Sequence, residues 1–456
     1  MDRYLAAACL TLVWVLICVW AWRTHRIGIA KEAGTAGADA YEKPDIAVTT
    51  VVTYASQTGM AQELAADTAQ SLRSAGIPVA LLPLHRIDAE WLSRARRMLL
   101  VVSTTGEGDP PDSAATFVST VMSAGAQPLL QLDYALLALG DREYRHYCRF
   151  GRTLDKWLRH HGARPLFDRI DVDNSNPGAL DQWRLALADS LGLSGLSSLS
   201  TTAYQRWQLV RRSLLNPGNA EAPCFHLELK PVEGAMPVWQ AGDIAEVILP
   251  SVTDDAPVRR QYSIASLPAD EALHLLVRQV RRENGQLGMV SGALTAGLEP
   301  GSTISLRIRS NQNFHPPEAK RGMILIGNGT GLAGLRAHMK ARIRDGADVN
   351  WLLYGERTRA HDYFYRAEIE EWLDNGSLRR LDLAFSRDQS ERAYVQHRLL
   401  DAASCVRSWI DEGAAIYVCG SLSGMSEGVH DALNTILGPD ALRVLTHEGR
   451  YRRDVY

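Results

Sequence analysis

Three glycine-rich loops of a size that fits phosphate follow one another along this chain of 456 residues. A hydroxyl-bearing loop at a helix N-terminus suits a single phosphate, whereas a glycine run between a strand and a helix lets backbone N–H groups hold a pyrophosphate. The three loops therefore predict a chain that binds several nucleotides. The loops are Ser56-Gln57-Thr58-Gly59, Gly288-Met289-Val290-Ser291 and Gly327-Asn328-Gly329-Thr330-Gly331.

Two more polar loops, residues 103–111 and 139–147, follow predicted strands near the first of these loops. Ligands of an open parallel sheet bind at the carboxyl edge of its strands, so these loops and residues 56–59 are expected to meet around one ligand. A plain turn is the alternative for residues 56–59, and the two further loops weigh against it. The candidate ligand-binding residues are Ser56, Gln57, Thr58, Gly59, Thr104, Thr105, Gly106, Gly108, Leu139, Gly140, Asp141 and Tyr144.

The hydrophobic pattern predicts three folded regions that position these loops. Apolar runs alternate with amphipathic helices over residues 47–193, which predicts a doubly wound parallel sheet. Short apolar runs without helices over residues 207–313 predict an antiparallel β-barrel, and alternation over residues 314–456 predicts a second parallel α/β domain. The Gly/Ser-rich residues 194–206 are a predicted hinge linker. The predicted strands are 47–53, 79–84, 98–103, 134–139, 224–229, 244–249, 261–264, 273–280, 323–326, 349–354, 380–385 and 415–419, and helices are predicted at 61–74 and 113–123.

Composition and charge narrow the class of protein. Forty-nine basic and 52 acidic residues give a net charge of -3 without a block of like charge, so nucleic acid is not an expected partner. The six cysteines form no CxxC pair and no ligand spacing with histidines, which argues against a structural metal site and a disulfide framework.

Residues 4–22 are apolar or aromatic except for Thr11, and 19 residues at 1.5 Å each nearly match a bilayer core of about 30 Å. This pattern predicts a transmembrane helix, followed by a linker over residues 23–46. Three basic residues follow the span and Arg3 alone precedes it, so the remainder is expected in the cytoplasm, on a cell inner membrane. A cleaved signal peptide is the alternative, against which the weakly charged n-region and the absent small-residue cleavage motif argue.

The first folded region resembles the FMN-binding, flavodoxin-like domain of the diflavin reductases, on the strength of the loops at 53–59, 103–111 and 139–147. This resemblance implies that the first loop holds the FMN phosphate and that Tyr144 stacks on the isoalloxazine. Some relatives carry tyrosine where this chain has Thr105, and threonine is usual where it has Met60. These departures put the affinity for FMN in question.

Arg260-Gln-Tyr-Ser263 resembles the RxYS motif of the ferredoxin-NADP reductase family, which diflavin reductases share. The resemblance implies that Arg260 meets the FAD pyrophosphate and that Tyr262 packs on the ring system. Gly288 and Ser291 match the element that opens a helix against the same pyrophosphate. Read alone, the RxYS stretch is equally consistent with an ordinary strand.

The loop at 327–331 has the strand-to-helix context of a dinucleotide fingerprint. Sequence downstream of it resembles the NADPH site of the same family, which implies that Ser386, Arg387 and Arg392 grip the 2'-phosphate and that Tyr394 lies on the adenine. Arginine forks suit phosphate oxygens, and the sequence shows no carboxylate where the ribose of NAD would require one, so NADPH is preferred over NADH. Surface arginines are the alternative. The candidate residues are Gly329, Thr330, Gly331, Ser386, Arg387, Arg392, Tyr394 and Gln396.

The C-terminal sequence also matches this family closely. By resemblance, Ser263, Cys419 and Asp454 surround the site of hydride transfer, and Tyr456 stacks on the isoalloxazine and steps aside for the nicotinamide. Without that context, a buried cysteine is an ordinary small apolar residue. Ser421 stands where relatives often carry an acid.

The resemblance spans residues 48–456 and implies a reductase that passes electrons from NADPH to FAD, to FMN, and to a one-electron acceptor, and the apolar span 4–22 predicts that it is tethered to a membrane. The acceptor is expected to be a haem protein, a sulfite reductase haemoprotein or a ferric chelate. Two alternatives stay open: an electron-carrier or docking module with slow NADPH turnover, and a quinone or oxygen reductase. Long relatives insert a helical connecting domain before the RxYS strand, whereas this chain has only residues 251–258 there, so residues 191–206 are the predicted hinge between the flavin domains.

Overall fold

The computed structural model describes residues 50–105, 108–123, 128–142, 146–173, 176–196, 203–219, 221–250, 257–282 and 284–456. The predicted transmembrane span 4–22, the linker 23–46, Gly106 and Tyr144 lie outside these residues. No helix within the described ranges is long and apolar enough to cross a membrane. From Ile46 to Tyr456 the chain forms one compact unit.

The first sheet is parallel and has the strand order β2-β1-β3-β4-β5, with β6 also paired to β4. Central strands are buried on both faces, as in Met98 to Val102, because helices cover both sides of the sheet. The predicted parallel sheet is confirmed. Its strands are β1 Thr50–Ala55, β2 Val79–Pro83, β3 Arg97–Ser103, β4 Asp133–Gly140, β5 Arg164–Pro165 and β6 Ile170–Asp173, and its helices are α1 Met60–Ser74, α2 Ala89–Arg94, α3 Ala115–Phe117, α4 Arg149–His160 and α5 Pro177–Ser190.

The helix predicted at 113–123 is irregular. It begins with a 3-10 turn, continues through α3 and ends in a π-helical segment, Val118–Met122. Hydroxyl groups explain the irregularity, because Ser119, Thr120 and Ser123 donate hydrogen bonds back to carbonyls of the preceding turn and compete with regular helix geometry.

The second sheet is antiparallel, with the order β10-β9-β12-β7-β8-β11. A bridge between Ile264 and Leu275 joins the two end strands, so the sheet closes into the predicted barrel. Its core contains Trp207, Leu227, Val247 and Leu275. The strands are β7 Gln205–Leu214, β8 Cys224–Pro231, β9 Ile244–Leu249, β10 Val258–Ser263, β11 Leu273–Arg278 and β12 Thr303–Arg309, with one helix of four residues, α6 Met289–Gly292.

The third sheet is parallel, with the order β15-β14-β13-β16-β17, as the alternating pattern predicts. The glycine-rich loop follows its central strand, β13, and leads into α7. The C-terminal strand β17 lies at one edge beside β16. The strands are β13 Met323–Asn328, β14 Asn350–Glu356, β15 Arg380–Phe385, β16 Ala415–Gly420 and β17 Tyr451–Val455, and the helices are α7 Leu332–Arg344, α8 Arg359–Asp362, α9 Arg366–Asp374, α10 Val395–Asp401, α11 Ala403–Asp411, α12 Glu427–Leu437 and α13 Pro439–His447.

Candidate functional site

A cavity of about 330 Å³, here called the flavin cavity, lies between the first sheet and the barrel. Three loops of the first sheet reach it from the carboxyl ends of their strands. The RxYS strand and the C-terminal residue complete the wall, so the predicted FMN and FAD residues share one space. The predicted residues that line it are Gln57, Thr58, Thr104, Thr105, Leu139, Gly140, Asp141, Arg260 and Tyr456.

The first loop combines ligand-facing and structural residues. Ser56 is buried, and its Oγ accepts a hydrogen bond from the N–H of Ala61 in the first turn of α1. Gln57 lines the cavity, while its side-chain amide donates to the Asp112 carboxylate and to the Arg453 carbonyl. The N–H of Ser56 donates to Ser113 Oγ, so the hydroxyl of Thr58 and the backbone N–H groups that follow Ser56 are the groups of this loop best placed for a phosphate.

The backbone conformation and the packing at position 59 explain why this loop has a glycine there. Its φ is +82°, and a Cβ atom there would lie 2.5 Å from the carbonyl oxygen of Ser310 in the barrel domain. The loop therefore packs directly against the second domain. Any other residue at Gly59 would strain the backbone and push the two domains apart.

The other two loops supply polar groups and an aromatic residue that sequence reasoning missed. The N–H of Phe150 donates to Thr104 Oγ1, and the N–H of Thr105 donates to the Asp109 carbonyl, so both threonines are held in place. Tyr147 lines the flavin cavity. Since the stretch 139–147 contains two tyrosines, the available signal was an aromatic pair from which only Tyr144 was chosen.

The residues of the RxYS motif on β10 have different surroundings. Arg260 lines the flavin cavity, Tyr262 is partly buried, and Ser263 is buried at the strand end. Gly288 and Ser291 line neither of the two cavities. Both bind the backbone of Val280: the N–H of Gly288 donates to the Val280 carbonyl, and the side-chain Oγ of Ser291 accepts from the Val280 N–H at 3.3 Å. Their predicted contact with FAD remains a prediction.

Ser263, Cys419 and Asp454 meet at the ends of three strands. Ser263 Oγ donates to Asp454 Oδ2 at 2.7 Å, and Cys419 Sγ lies 3.9 Å from Ser263 Oγ and 3.8 Å from the same carboxylate oxygen. The parallel register of β16 and β17 sets Cys419 beside Asp454. Because chemistry-bearing residues from distant parts of the sequence converge here, this cluster is the best candidate for the reaction centre.

Burial controls the protonation of this cluster. The side chains of Cys419 and Asp454 are almost wholly shielded from solvent. Burial raises the pKa of the Cys419 thiol well above its usual value, and the nearby Asp454 carboxylate adds to that shift. Burial also raises the pKa of Asp454, while the hydrogen bond from Ser263 acts in the opposite direction. The thiol is therefore neutral at physiological pH and can serve as a weak donor and a packing surface.

A second cavity of about 680 Å³, here called the dinucleotide cavity, opens over the glycine-rich loop of the third sheet. Six predicted residues line it. Residues that sequence reasoning missed include Arg278, Glu356 and Arg357, which no local motif marks, and Asn328 of the glycine-rich loop also lines the cavity. The predicted residues in its wall are Gly329, Thr330, Ser386, Tyr394, Gln396 and Tyr456.

Two predicted arginines do not face this cavity. Arg387 Nη1 instead lies 3.3 Å from Glu221 Oε2 in a largely exposed ion pair, and Arg392 is exposed at the surface. Glu356, which ends β14, is a carboxylate in the wall of this cavity that the sequence analysis did not consider. Its carboxylate is not free, since it pairs with Arg278. Sequence could not reveal this pair because its members are 78 residues apart.

Tyr456 is part of the wall of both cavities. Its side chain is 51 % exposed, and its hydroxyl donates to Thr330 Oγ1 at 3.2 Å. The backbone is fixed because its N–H donates to the Gly420 carbonyl and its carbonyl accepts from the N–H of Leu422. The backbone of Tyr456 is thus fixed, and its ring, which makes this one side-chain hydrogen bond, lies between the two cavities.

Ion pairs join the first domain to the other two. Glu63 of α1 contacts Arg307 at 3.2 Å and Arg309 at 3.4 Å, and both guanidinium groups also contact the buried Glu246. Although burial opposes its ionisation, Arg309 and Arg307 hold the pKa of Glu246 below its usual value. Four charges therefore share one buried network at the domain interface, here called the Glu63 network.

A second interdomain contact lies beside the first loop. Arg453 Nε donates to Asp112 Oδ2 at 2.9 Å, and Arg453 Nη2 donates to the other oxygen of the same carboxylate. Asn313 donates to the Ser56 carbonyl, and Arg309 donates to the Thr58 carbonyl, at 2.9 and 3.0 Å. The barrel and the C-terminal strand thus hold the backbone of the predicted phosphate loop itself.

One group within the described ranges, His226, Glu228 and His274, brings three potential metal ligands within 4.8 Å of one another. Burial lowers the pKa of the two imidazoles to about 3 and about 4. However, Tyr365 hydroxyl hydrogen bonds with His226 Nδ1, and Arg336 Nη1 lies 3.3 Å from His274 Nδ1. These contacts engage one ring nitrogen of each imidazole in packing between the barrel and the third sheet, and the guanidinium of Arg336 lies where it would repel a cation.

Comparison with known proteins agrees with this geometry. The flavodoxin family matches residues 52–184, and the oxidoreductase NAD-binding domain matches residues 325–431. The sulfite reductase [NADPH] flavoprotein alpha-component of Vibrio cholerae is 29 % identical over 89 % of this chain and 87 % of its own length. The corresponding proteins of Neisseria meningitidis and Bacillus subtilis are 29 % and 27 % identical and cover 89 % and 94 % of this chain and 89 % and 93 % of their own lengths.

The fold and the two cavities define a flavoprotein oxidoreductase that uses FMN, FAD and NADPH. The residues present fit these groups, because polar loops surround the flavin cavity and the glycine-rich loop stands at the base of the dinucleotide cavity. The two matched domains and these relatives together support a diflavin reductase family for this chain.

Proposed function

We propose that this protein is a membrane-tethered NADPH-dependent diflavin reductase that passes electrons from NADPH through FAD and FMN to a one-electron acceptor. The observation that carries this proposal is the flavin cavity, in which loops of the first sheet face Arg260 and Tyr456 across one space. When bound, NADPH supplies a hydride, and flavins accept two electrons together and release them singly. The protein's task is to hold the two flavins close and to exclude water from the route.

The buried cluster at the strand ends is the group of side chains best suited to assist hydride transfer. Asp454 offers a carboxylate oriented by the hydroxyl of Ser263, and the neutral thiol of Cys419 lies 3.8 Å from the same carboxylate oxygen. A fixed carboxylate in a dry site stabilises positive charge that develops near it, without reorganising solvent. No nucleophile is needed for this role.

The proposed acceptor is a haem protein, a sulfite reductase haemoprotein or a ferric chelate. The relatives are named as the flavoprotein component of a sulfite reductase, which supports a haemoprotein partner. The Glu63 network and the Asp112–Arg453 pair close the first domain onto the rest of the chain. An acceptor protein would therefore require this domain to open, on a hinge that we propose lies in residues 191–206.

The membrane tether rests on the sequence of residues 4–22. We expect the full chain to sediment with membranes and to resist extraction by high salt, because a span of this length inserts in the bilayer core. A variant lacking residues 2–22 should be recovered in the supernatant with unchanged NADPH-dependent flavin reduction. Recovery of the full chain in the supernatant would contradict the tether and leave the redox proposal intact.

The central experiment mixes the detergent-purified protein anaerobically with NADPH, follows the absorbance of both flavins, and then adds cytochrome c. Rapid bleaching of both flavins, with cytochrome reduction that disappears when FMN is stripped, is the expected result. One flavin per chain, or bleaching of FAD alone, would contradict the relay and favour the docking module. Met60 and Thr105, which line the flavin cavity, are the residues that would explain a lost FMN.

Replacing Tyr456 by alanine should slow steady-state turnover by about tenfold and tighten the binding of NADP⁺. The ring separates the two cavities, so its removal opens the nicotinamide's route to the flavin and allows the oxidised product to remain there. Product inhibition by NADP⁺ and stopped-flow flavin reduction measure the two effects. Tyr456→Phe, which loses only the hydrogen bond to Thr330, should stay near wild type, and weaker NADP⁺ binding by the alanine variant would contradict the gating role.

A further inference from the structure

One ion pair joins the barrel to the segment that contains the predicted 2'-phosphate residues. Arg387 Nη1 donates to Glu221 Oε2 at 3.3 Å. Glu221 lies in the connection between β7 and β8 of the barrel, whereas Arg387 follows β15 of the third sheet. A carboxylate of another domain therefore engages the guanidinium that the sequence assigns to a phosphate.

The β7–β8 connection is anchored to the third domain by a buried carboxylate. The side-chain amides of Asn216 and Asn219 donate to Asp362 Oδ1 at 3.1 and 2.8 Å. The N–H and the hydroxyl of Thr358 donate to the other oxygen of that carboxylate at 3.1 and 2.7 Å. Although burial opposes its ionisation, these hydrogen bonds hold the pKa of Asp362 below its usual value. The anchor is therefore an ionised carboxylate whose two oxygens are both satisfied.

The same connection is held on both sides of Glu221. Asn216 Nδ2 also donates to the Ala222 carbonyl at 3.0 Å. Gly218 has a φ of +101°, and a Cβ atom there would lie 2.9 Å from the ring of His361, so the turn packs directly on the third domain. The carboxylate of Glu221 consequently extends from a fixed support toward the segment that follows β15.

The backbone of Arg387 lies at the edge of the dinucleotide cavity. Its N–H donates to the Arg357 carbonyl at 2.8 Å, and the N–H of Ser386 donates to the Glu356 carbonyl at 2.9 Å. Ser386, Glu356 and Arg357 all line that cavity. A long side chain that begins here can point into the cavity or away from it, and the structure shows it turned to Glu221.

We propose that Glu221 competes with the 2'-phosphate of NADPH for Arg387 and thereby sets the affinity of the site for phosphorylated dinucleotides. This assignment rests on the proposed function and on the predicted contact between Arg387 and the 2'-phosphate. When a ligand binds only the released guanidinium, its apparent affinity falls with the fraction of chains in which the guanidinium is released. Glu221 is thus a specificity-determining residue, because NADH has no 2'-phosphate and does not need the released arginine.

The exposure of the pair determines the size of the effect. The side chains of Arg387 and Glu221 are 53 % and 77 % exposed, and ion pairs in such positions shift a population by about two- to fivefold. A phosphate carries more negative charge than one carboxylate and suits the guanidinium fork. The ligand therefore displaces Glu221, but with an apparent affinity below that of an unpaired arginine.

The test measures, by calorimetry, the affinity of the full detergent-purified chain for 2'-AMP, which presents the 2'-phosphate alone. Glu221→Gln should bind 2'-AMP about two- to fivefold more tightly than wild type, while the second-order rate constant for FAD reduction by NADH stays unchanged. The matched control is Glu299→Gln, which neutralises another barrel carboxylate, 78 % exposed and 3.8 Å from Arg212, and should leave 2'-AMP binding unchanged. Unchanged or weaker binding of 2'-AMP by Glu221→Gln would overturn the competition.

A double variant distinguishes competition for Arg387 from simple repulsion of the ligand. Arg387→Ala should weaken 2'-AMP binding by about tenfold, the scale for loss of a hydrogen bond to a charged group. In that background, Glu221→Gln should add less than about 1.5-fold, because the pair no longer exists. The same gain in both backgrounds would show that Glu221 repels the ligand without holding Arg387, and would overturn the proposal.

Two further outcomes separate this proposal from the proposed function. Wild-type affinity of Arg387→Ala for 2'-AMP would overturn the role of Arg387, and with it that of Glu221, but would leave the use of NADPH intact. A wild-type chain whose flavins are not reduced by NADPH would overturn the proposed function itself.

Discussion

Asp454→Asn should slow the reduction of FAD by NADPH by about a hundredfold to a thousandfold, the scale on which loss of one preorganised electrostatic group reduces a rate. Asparagine keeps the shape and can still accept from Ser263 Oγ, which lies 2.7 Å from the carboxylate oxygen. Only the negative charge is lost. Anaerobic stopped-flow mixing with NADPH measures this rate directly, because the first fall in flavin absorbance reports FAD reduction.

The affinity for NADP⁺ provides the control for this variant. Asp454 is almost wholly buried and lies outside the lining of the dinucleotide cavity, so NADP⁺ should bind Asp454→Asn within about twofold of wild type. Slow reduction with normal affinity places the effect on the hydride step. A variant that reduces FAD at the wild-type rate would exclude Asp454 from the reaction.

The same substitution should stabilise the fold at neutral pH. Burial raises the pKa of Asp454 above the value of 3.8 expected in the unfolded chain, so the folded state binds the proton more tightly, and stability falls as pH rises from 3.8 through the folded-state pKa. Asparagine does not ionise, so the variant does not lose this stability as the pH rises. The melting temperature of Asp454→Asn should exceed that of wild type at pH 7, and the difference should shrink as the pH is lowered. A melting temperature of the variant below that of wild type at pH 7 would contradict an ionised carboxylate at this buried position.

Glu63→Lys should slow electron transfer from FAD to FMN by about a hundredfold. The lysine would place a third positive charge beside Arg307 and Arg309, whose side chains are only 3 % and 2 % exposed. Breaking a buried pair costs about 3 to 5 kcal/mol, and about 1.4 kcal/mol corresponds to a tenfold change in population. The closed arrangement would therefore become a minor state, and transfer that requires it would slow accordingly.

Stopped-flow absorbance separates the two steps, since FAD reduction should stay at the wild-type rate while FMN reduction lags. Asp189→Lys is the matched control, because it makes the same charge change on an exposed position of α5 in the same domain. Glu63→Gln, which removes the pairing without adding a positive charge, should fall between wild type and Glu63→Lys. Unchanged FMN reduction in Glu63→Lys would show that the closed arrangement is not the one that transfers electrons.

Sequence predicted the strands of this protein better than its helices. The strands at 244–249 and 380–385 have the predicted bounds, because short, mostly apolar runs between polar turn residues leave few alternatives. The helix at 113–123 was predicted as regular and is not, since its hydroxyl side chains bind local carbonyls. Periodicity reports which face is buried, but it does not report competing hydrogen bonds within a turn.

Sequence also predicted many of the residues that meet in the site. Ser263, Cys419 and Asp454 lie far apart in the chain and yet form one buried cluster, and their prediction came from resemblance to a family rather than from spacing. The arginines at 387 and 392 were also predicted by resemblance, and neither lines the dinucleotide cavity. A local pattern identifies a residue type, whereas the direction of a surface side chain depends on its neighbours.

By itself, the sequence determined the three folded regions, the order of the phosphate loops and the family of the protein, because these depend on local periodicity and short motifs. Only the tertiary structure decided that Glu63 joins Arg307 and Arg309, that Tyr456 separates two cavities, and that Arg278 neutralises Glu356 over the glycine-rich loop. These contacts join residues on different domains. Their energies depend on burial and on distances between side chains, and neither quantity exists until the domains have packed together.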